Sequence, residues 1–351
     1  MDGRVQRRPL ARKARRALRF TLPCLLAAVL AAGTNLTPDQ QAVVDHISAA
    51  SLRGNLSFIS SDLLEGRATP SRGLDLAAEY IAAQFRRAGL EPAGGDDYFQ
   101  TVKLKEGTAK NVAGLLRGSH PMLKDTYIIV SAHYDHIGMR PNGDDRIYNG
   151  ANDDGSGTVS VIELASALAA MPAHPARSIL FLALFGEEKG LLGSRYYASH
   201  PLVPLNRTIA DVNLEQVGRT DAANGPHIGV GYLTGYDYSD LGRMLSREAT
   251  PSGFKITQDA STKEDLFDRS DNLPFSQAGI PSTTLYVAAD FPDYHRVGDE
   301  WPKIDYDNMA KLDRALALGL LRLASNASAP QWNIANRAAR RYAEAGKRAK
   351  Q

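Results

Sequence analysis

Apolar side chains recur at three- and four-residue steps from position 74 to 88, where Leu76, Ala77, Tyr80, Ile81 and Phe85 mark one face of a helix that Gly89 ends. A weaker helical period runs over 37–60, with Val43, Val44, Ile47 and Leu52 as its expected buried face. Further on, short apolar runs alternate with amphipathic stretches. Strands are expected at 127–132, 178–185, 209–217 and 282–288, and helices at 159–170, 239–249 and 306–324. This alternation predicts an α/β fold, a mostly parallel sheet with helices on both faces, which is a three-layer α/β/α sandwich.

With 351 residues, 43% of them hydrophobic and 23% charged, the chain has material for a large core. A formal net charge of +2, with Arg and Lys crowded at the two ends, points to no nucleic-acid or other polyanionic partner. Residues 1–33 read as a signal peptide: a basic stretch from Arg4 to Arg19, an apolar run from Phe20 to Ala32 broken by Thr21 and Pro23, then Ala31, Ala32 and Gly33 as small residues for cleavage. The run is shorter than the roughly 20 residues that span a bilayer, so no stable membrane span is expected after cleavage. Export to the periplasm or the medium follows. The one cysteine, Cys24, lies in that run, so the mature chain should carry no thiol. Residues 34–325 read as one catalytic domain, and 326–351 as a basic tail, either a polar surface helix or a frayed, solvated end.

Polar groups of an open α/β sheet converge at the carboxyl ends of its strands. The strand at 127–132 runs into His133-Tyr134-Asp135-His136, and alternate residues of an extended segment face one way. His133 can therefore bind a metal with Asp135 as its support. The turn 149–157, rich in Gly and Asp, leads into a helix; it could be a capped loop, but its spacing does not fit a twelve-residue calcium loop, and a carboxylate held there could bridge two cations. After the strand at 178–185, Gly186 permits a turn that aims Glu187 and Glu188 at one pocket, one to bind metal and one to move protons; a solvated charged turn is the plain alternative. Glu215 ends another strand, and Tyr294-His295 follows the last one. The resulting set, His133, Asp153, Glu188, Glu215 and His295, is a mixed N/O set suited to open, catalytic zinc. Five ligands exceed one tetrahedral zinc and fit two ions sharing Asp153, roughly 3.5–4 Å apart.

The series HYD, GANDDGSG, FGEEKGLLGS, NLEQVGR, SDNLPFSQAGIP and YH, in this order over 52–324, resembles peptidase family M28, the two-zinc aminopeptidases. The resemblance implies the mostly parallel mixed sheet of the zinc-peptidase fold, and peptide substrates with a free N-terminus. It implies one zinc on His133, Asp153 and Glu215 and a second on Asp153, Glu188 and His295, with cobalt or manganese as possible substitutes. It makes Glu187 the general base that activates a metal-bridging water, Tyr294 an oxyanion donor, Asp135 the support of His133, and the bond after Asp153 cis. Asp271 falls in a shared motif and is expected to support the site or contact substrate. Glu215 departs from the usual Asp, and residues 105–110 leave no room for the protease-associated domain that many relatives insert. A glutaminyl cyclase, a carboxypeptidase or other amide hydrolase, and an inactive binding module of the same fold remain alternatives.

Overall fold

The apolar runs become a sheet because their side chains are buried on both faces. In the computed structural model, which describes residues 1–3, 36–95, 97–249, 252–259 and 266–348, every residue of β4 (Tyr127–His133) and β5 (Ser178–Leu184) is buried. The other strands are β1 (Glu91–Pro92), β2 (Phe99–Leu104), β3 (Gly107–Leu116), β6 (Thr208–Leu214), β7 (Asp221–Ala222), β8 (Gly225–Pro226), β9 (Val230–Leu233), β10 (Lys255–Thr257) and β11 (Ser282–Tyr286). Among the described residues nine strands form one sheet, in the order β1-β3-β5-β4-β6-β11-β9-β10 with β2 beside β3. β5, β4, β6 and β11 run parallel, while β3 and β9 flank them antiparallel. The sheet is thus mixed with a parallel centre, as the sequence pattern and the resemblance together predict.

The helices are α1 (Pro38–His46), α2 (Ala49–Ile59), α3 (Arg72–Arg87), α4 (Gly157–Ala169), α5 (Leu192–Ser199), α6 (Leu241–Ala249), α7 (Asn272–Gln277), α8 (Tyr306–Ser325) and α9 (Arg340–Arg348). Alternate strand residues divide between two cores. Ile128, Val130, Ile179 and Phe181 join α1–α4, α6 and α8 on one face, and Ile129, Leu180 and Leu182 meet Tyr197 of α5 and Phe275 of α7 on the other. The helical period at 37–60 is two helices. Ile47 leaves helical geometry, and Ser48 caps α2 by accepting from Ser51 N while its own N–H donates to Glu163.

Of the two forms expected for the tail, the polar surface helix is the one found, α9, and it is docked rather than frayed. Residues 326–348 are not a solvated end: Ala339 and Tyr342 are buried, and Tyr342 stacks with Trp332 and meets Phe267. Its hydroxyl donates to Asp268, and the Trp332 indole donates to Gly279 O. The aromatic area of these two residues outweighs the basic character of the segment. The expected signal segment and Cys24 lie outside the described residues.

Candidate metal centre

The expected ligands stand at the carboxyl end of a strand or in the loops that follow, and groups beneath hold them in place. β4 ends at His133, which is wholly buried, with Thr158 Oγ1 donating to its carbonyl at 2.7 Å. Its ring Nδ1 lies 3.2 Å from the Asp135 carbonyl and 3.5 Å from the Asp135 carboxylate. That carboxylate also accepts from Glu187 N at 3.1 Å and Thr69 Oγ1 at 3.1 Å, so Asp135 ties the first ligand to the expected base.

The turn at 151–156 is held by its side chains. Asn152 Oδ1 accepts from Gly218 N and Arg219 N, and Asp154 Oδ1 accepts from Gly157 N and Gln216 N, which pins the turn to the exit of β6. The carboxylate of Asp299 accepts from Asn152 N and Asp153 N, and burial pushes its pKa up to about 6. Asp153 lies between these anchors, and the bond to Asp154 is cis. After β5, Gly186 adopts φ 71°, and the turn it opens brings Glu187 and Glu188 to one side.

Two ligand groups result. His133, Asp153 and Glu215 bring donor atoms within 4.8 Å of one another, and so do His136, Asp153 and Glu188. His295 adjoins the second group, its Nε2 3.1 Å from Asp153 Oδ2 and 3.3 Å from Glu188 Oε2. All five ligands expected from the sequence are therefore together, and Asp153 is common to both groups. Tyr294 stacks on His295 with ring centroids 4.0 Å apart. Glu187, Tyr294, Glu215 and His295 line a cavity of about 670 Å³. Asp271 is wholly buried and does not line that cavity; it accepts from Ser194 Oγ at 2.5 Å.

The residues fit a pair of divalent cations. His133 Nε2, Glu188 Oε1 and Glu215 Oε2 are buried with no hydrogen-bond partner among the described residues, at a cost of about 1–3 kcal/mol each if nothing else binds them. Donor atoms on one tetrahedral zinc, with bonds of about 2.0–2.1 Å, stand roughly 3.3 Å apart. The contacts of His295 match that spacing, as does His133 Nε2 to Asp153 Oδ1 at 3.4 Å. Burial drives the Glu187 carboxyl well above its ordinary range, and it pushes Glu215 up to about 7. Burial also raises Tyr294, which keeps its phenol protonated and able to donate.

Three residues of this site were not singled out from the sequence. Arg67, whose buried guanidinium donates to Tyr134 O, Asn149 O and Gly150 O, and Asp299 stand alone in the chain with no pattern around them. His136 breaks the strand alternation that selected His133 and Asp135, because β4 has already ended.

The family model for peptidase family M28 matches residues 111–319. Aminopeptidase YwaD of Bacillus subtilis is 32% identical over 191 residues, which cover 53% of this chain and 38% of that relative. The chain spans 38% and 57% of the lengths of the first two curated relatives it matches. The LapA aminopeptidase of Legionella pneumophila superposes with a TM-score of 0.66 at 20% identity, over 83% of this chain and 75% of that one. A glutaminyl cyclase from Porphyromonas gingivalis has a TM-score of 0.60 at 18% identity, over 78% and 98%. At these identities the two structures are alike in fold.

Proposed function

The chain belongs to peptidase family M28, and on that premise we propose that it is a two-zinc aminopeptidase that removes the first residue of peptides. One observation carries the reading: two largely buried N/O ligand groups share Asp153, with His295 beside the second, and Glu187 lines the same cavity. One ion would be held by His133, Asp153 and Glu215, the other by Asp153, Glu188 and His295. When bound, such a pair supplies a water of lowered pKa and polarises the carbonyl of the scissile bond.

The rest of the chemistry falls to the side chains. Glu187 takes the proton of the attacking water and passes it to the leaving nitrogen, a role its place on the cavity wall beside both ligand groups allows. Asp135 fixes the backbone of Glu187 and so the reach of that carboxylate. The Tyr294 phenol donates to the oxygen on which negative charge develops. The substrate amine is a cation at neutral pH, and beyond the ligands and Glu187 the cavity lining sets the carboxylates of Asp259 and Asp290 against Arg269. That balance favours a free N-terminus over a free C-terminus. A glutaminyl cyclase shares the fold, but completeness of both ligand groups favours two ions. Among the described residues no helix is long and apolar enough to cross a membrane; export rests on the pattern of the first 33 residues.

Hydrolysis of a panel of aminoacyl-nitroanilides, before and after chelation and zinc restoration, tests the proposal. Cleavage should vanish with chelator and return with zinc, at about two ions per chain. Glu187→Gln should keep both ions and lose about 10²–10⁴ in turnover. A variant that retained full turnover would remove Glu187 from this role.

A further inference from the structure

We propose that His136 is a fourth protein ligand of the second ion, alongside Asp153, Glu188 and His295. The inference rests on the two-ion reading above and adds a residue to it.

His136 is 1% exposed and sits three residues beyond the first ligand. Its N–H donates to Arg67 O, and its ring is pressed against Gly150, where a Cβ would stand 2.5 Å from the ring Cγ. The ring meets that of His295 edge-on at 5.7 Å. So placed, it cannot turn to solvent. Yet neither ring nitrogen has a hydrogen-bond partner among the described residues. A neutral imidazole carries one donor and one acceptor, and burying both unpaired costs about 1–3 kcal/mol for each.

Glu188 Oε1 lies 2.8 Å from His136 Nδ1, an ion-pair contact without hydrogen-bond geometry. Protonated at Nδ1, the ring pairs with this carboxylate; deprotonated there, it turns a lone pair on the same oxygen, and a cation bound to both takes the proton's place. Donor atoms with bonds of about 2.0–2.1 Å and angles between 90° and tetrahedral stand roughly 2.8–3.4 Å apart, which includes this contact and those of His295. His136, Asp153 and Glu188 already lie within ligand distance of one another.

The two positions then differ. The first ion has one imidazole and two carboxylates, and the second has two of each. The richer nitrogen set favours zinc over magnesium or manganese, so the second position should fill first and discriminate more strongly. The first keeps more open coordination for substrate.

The test uses the full chain and metal binding as its readout. Wild type should retain two ions after dialysis, and His136→Ala should bind the second at least about 10-fold more weakly while keeping the first. In the cobalt-loaded protein His136→Cys should add a thiolate-to-cobalt charge-transfer band in the near ultraviolet, read as a difference from wild type so that Cys24 cancels. Circular dichroism confirms folding, and the cysteine variant decides the question should the alanine variant fail to fold. Two ions of unchanged affinity in His136→Ala, or a weakened second ion with no charge-transfer band in His136→Cys, overturns ligation by His136. A wild-type chain that holds a single ion overturns the two-ion reading itself, which is a separate result.

Discussion

Replacing Arg67 by methionine removes the group from which two ligand loops hang. The guanidinium is wholly buried and donates to Tyr134 O at 2.7 Å, Ile59 O at 2.7 Å, Asn149 O at 2.7 Å and Gly150 O at 2.9 Å. Tyr134 follows His133, while Asn149 and Gly150 enter the turn that carries Asp153. Hydrogen bonds from a charged donor contribute about 1.5–3 kcal/mol each. Against them stands the cost of burying the cation, which lowers the Arg67 pKa from 12.5 to about 10 even though Asp135 and Asp299 lie near, a penalty of about 3 kcal/mol. The bonds win. Methionine fills similar space but leaves those carbonyls without their donor, so unfolding free energy should drop by at least about 3 kcal/mol. Urea titrations in the presence of chelator measure this without a contribution from metal. Arg67→Lys keeps the charge but not the fork and should fall between the two. A methionine variant within about 0.5 kcal/mol of wild type, the range of inert surface changes, would refute the reasoning.

Two other expectations follow from the same geometry. In the metal-free protein the carboxylates of Asp153 and Glu188 raise His295 to about 10, and burial raises Glu215 to about 7. Both groups must lose a proton before they ligate, so apparent metal affinity should climb from about pH 6 to about pH 10, with proton release on uptake. Chelator competition across that range, paired with calorimetry in two buffers, checks it, and a flat profile would contradict the assignment. Gly150→Ala should cost at least about 2 kcal/mol, because φ is +55° and the new Cβ would lie 2.5 Å from both Asp153 O and the His136 ring. Gly89→Ala, at φ +79° with open space around it, is the control that carries backbone strain alone. Equal melting temperatures for the two variants would remove the clash from the account.

The parallel centre of the sheet was legible because burial on both faces demands unbroken apolar runs, and 127–132 and 178–185 have them. The ligands were legible because those runs end in His133 and in Gly186-Glu187-Glu188. What escaped has a common cause: it depends on contacts between distant segments. The break at Ser48 needs Glu163 to receive its N–H. The docking of 326–348 needs Phe267 and Asp268 to face Tyr342. His136 and Asp299 act through the turn at 151–156, which neither precedes nor follows them directly. The carbonyl of Asp135, rather than its carboxylate alone, supports the His133 ring, a detail that residue types cannot express.

The ligands are gathered from loops after β4, β5, β6 and β11, with the turn before α4 between them. Each ligand group draws on segments far apart in the chain. Closing such long segments is slow and entropically opposed, so the centre forms only when the sheet is essentially finished. Zinc therefore cannot seed this fold as it does a zinc finger, whose ligands lie on one short hairpin and helix. An ion bound there would arrive late and act as a lock. Until then the finished sheet holds Asp153, Glu187, Glu188 and Glu215 close together at its carboxyl edge, and an ion that binds there stabilises the folded chain by mass action.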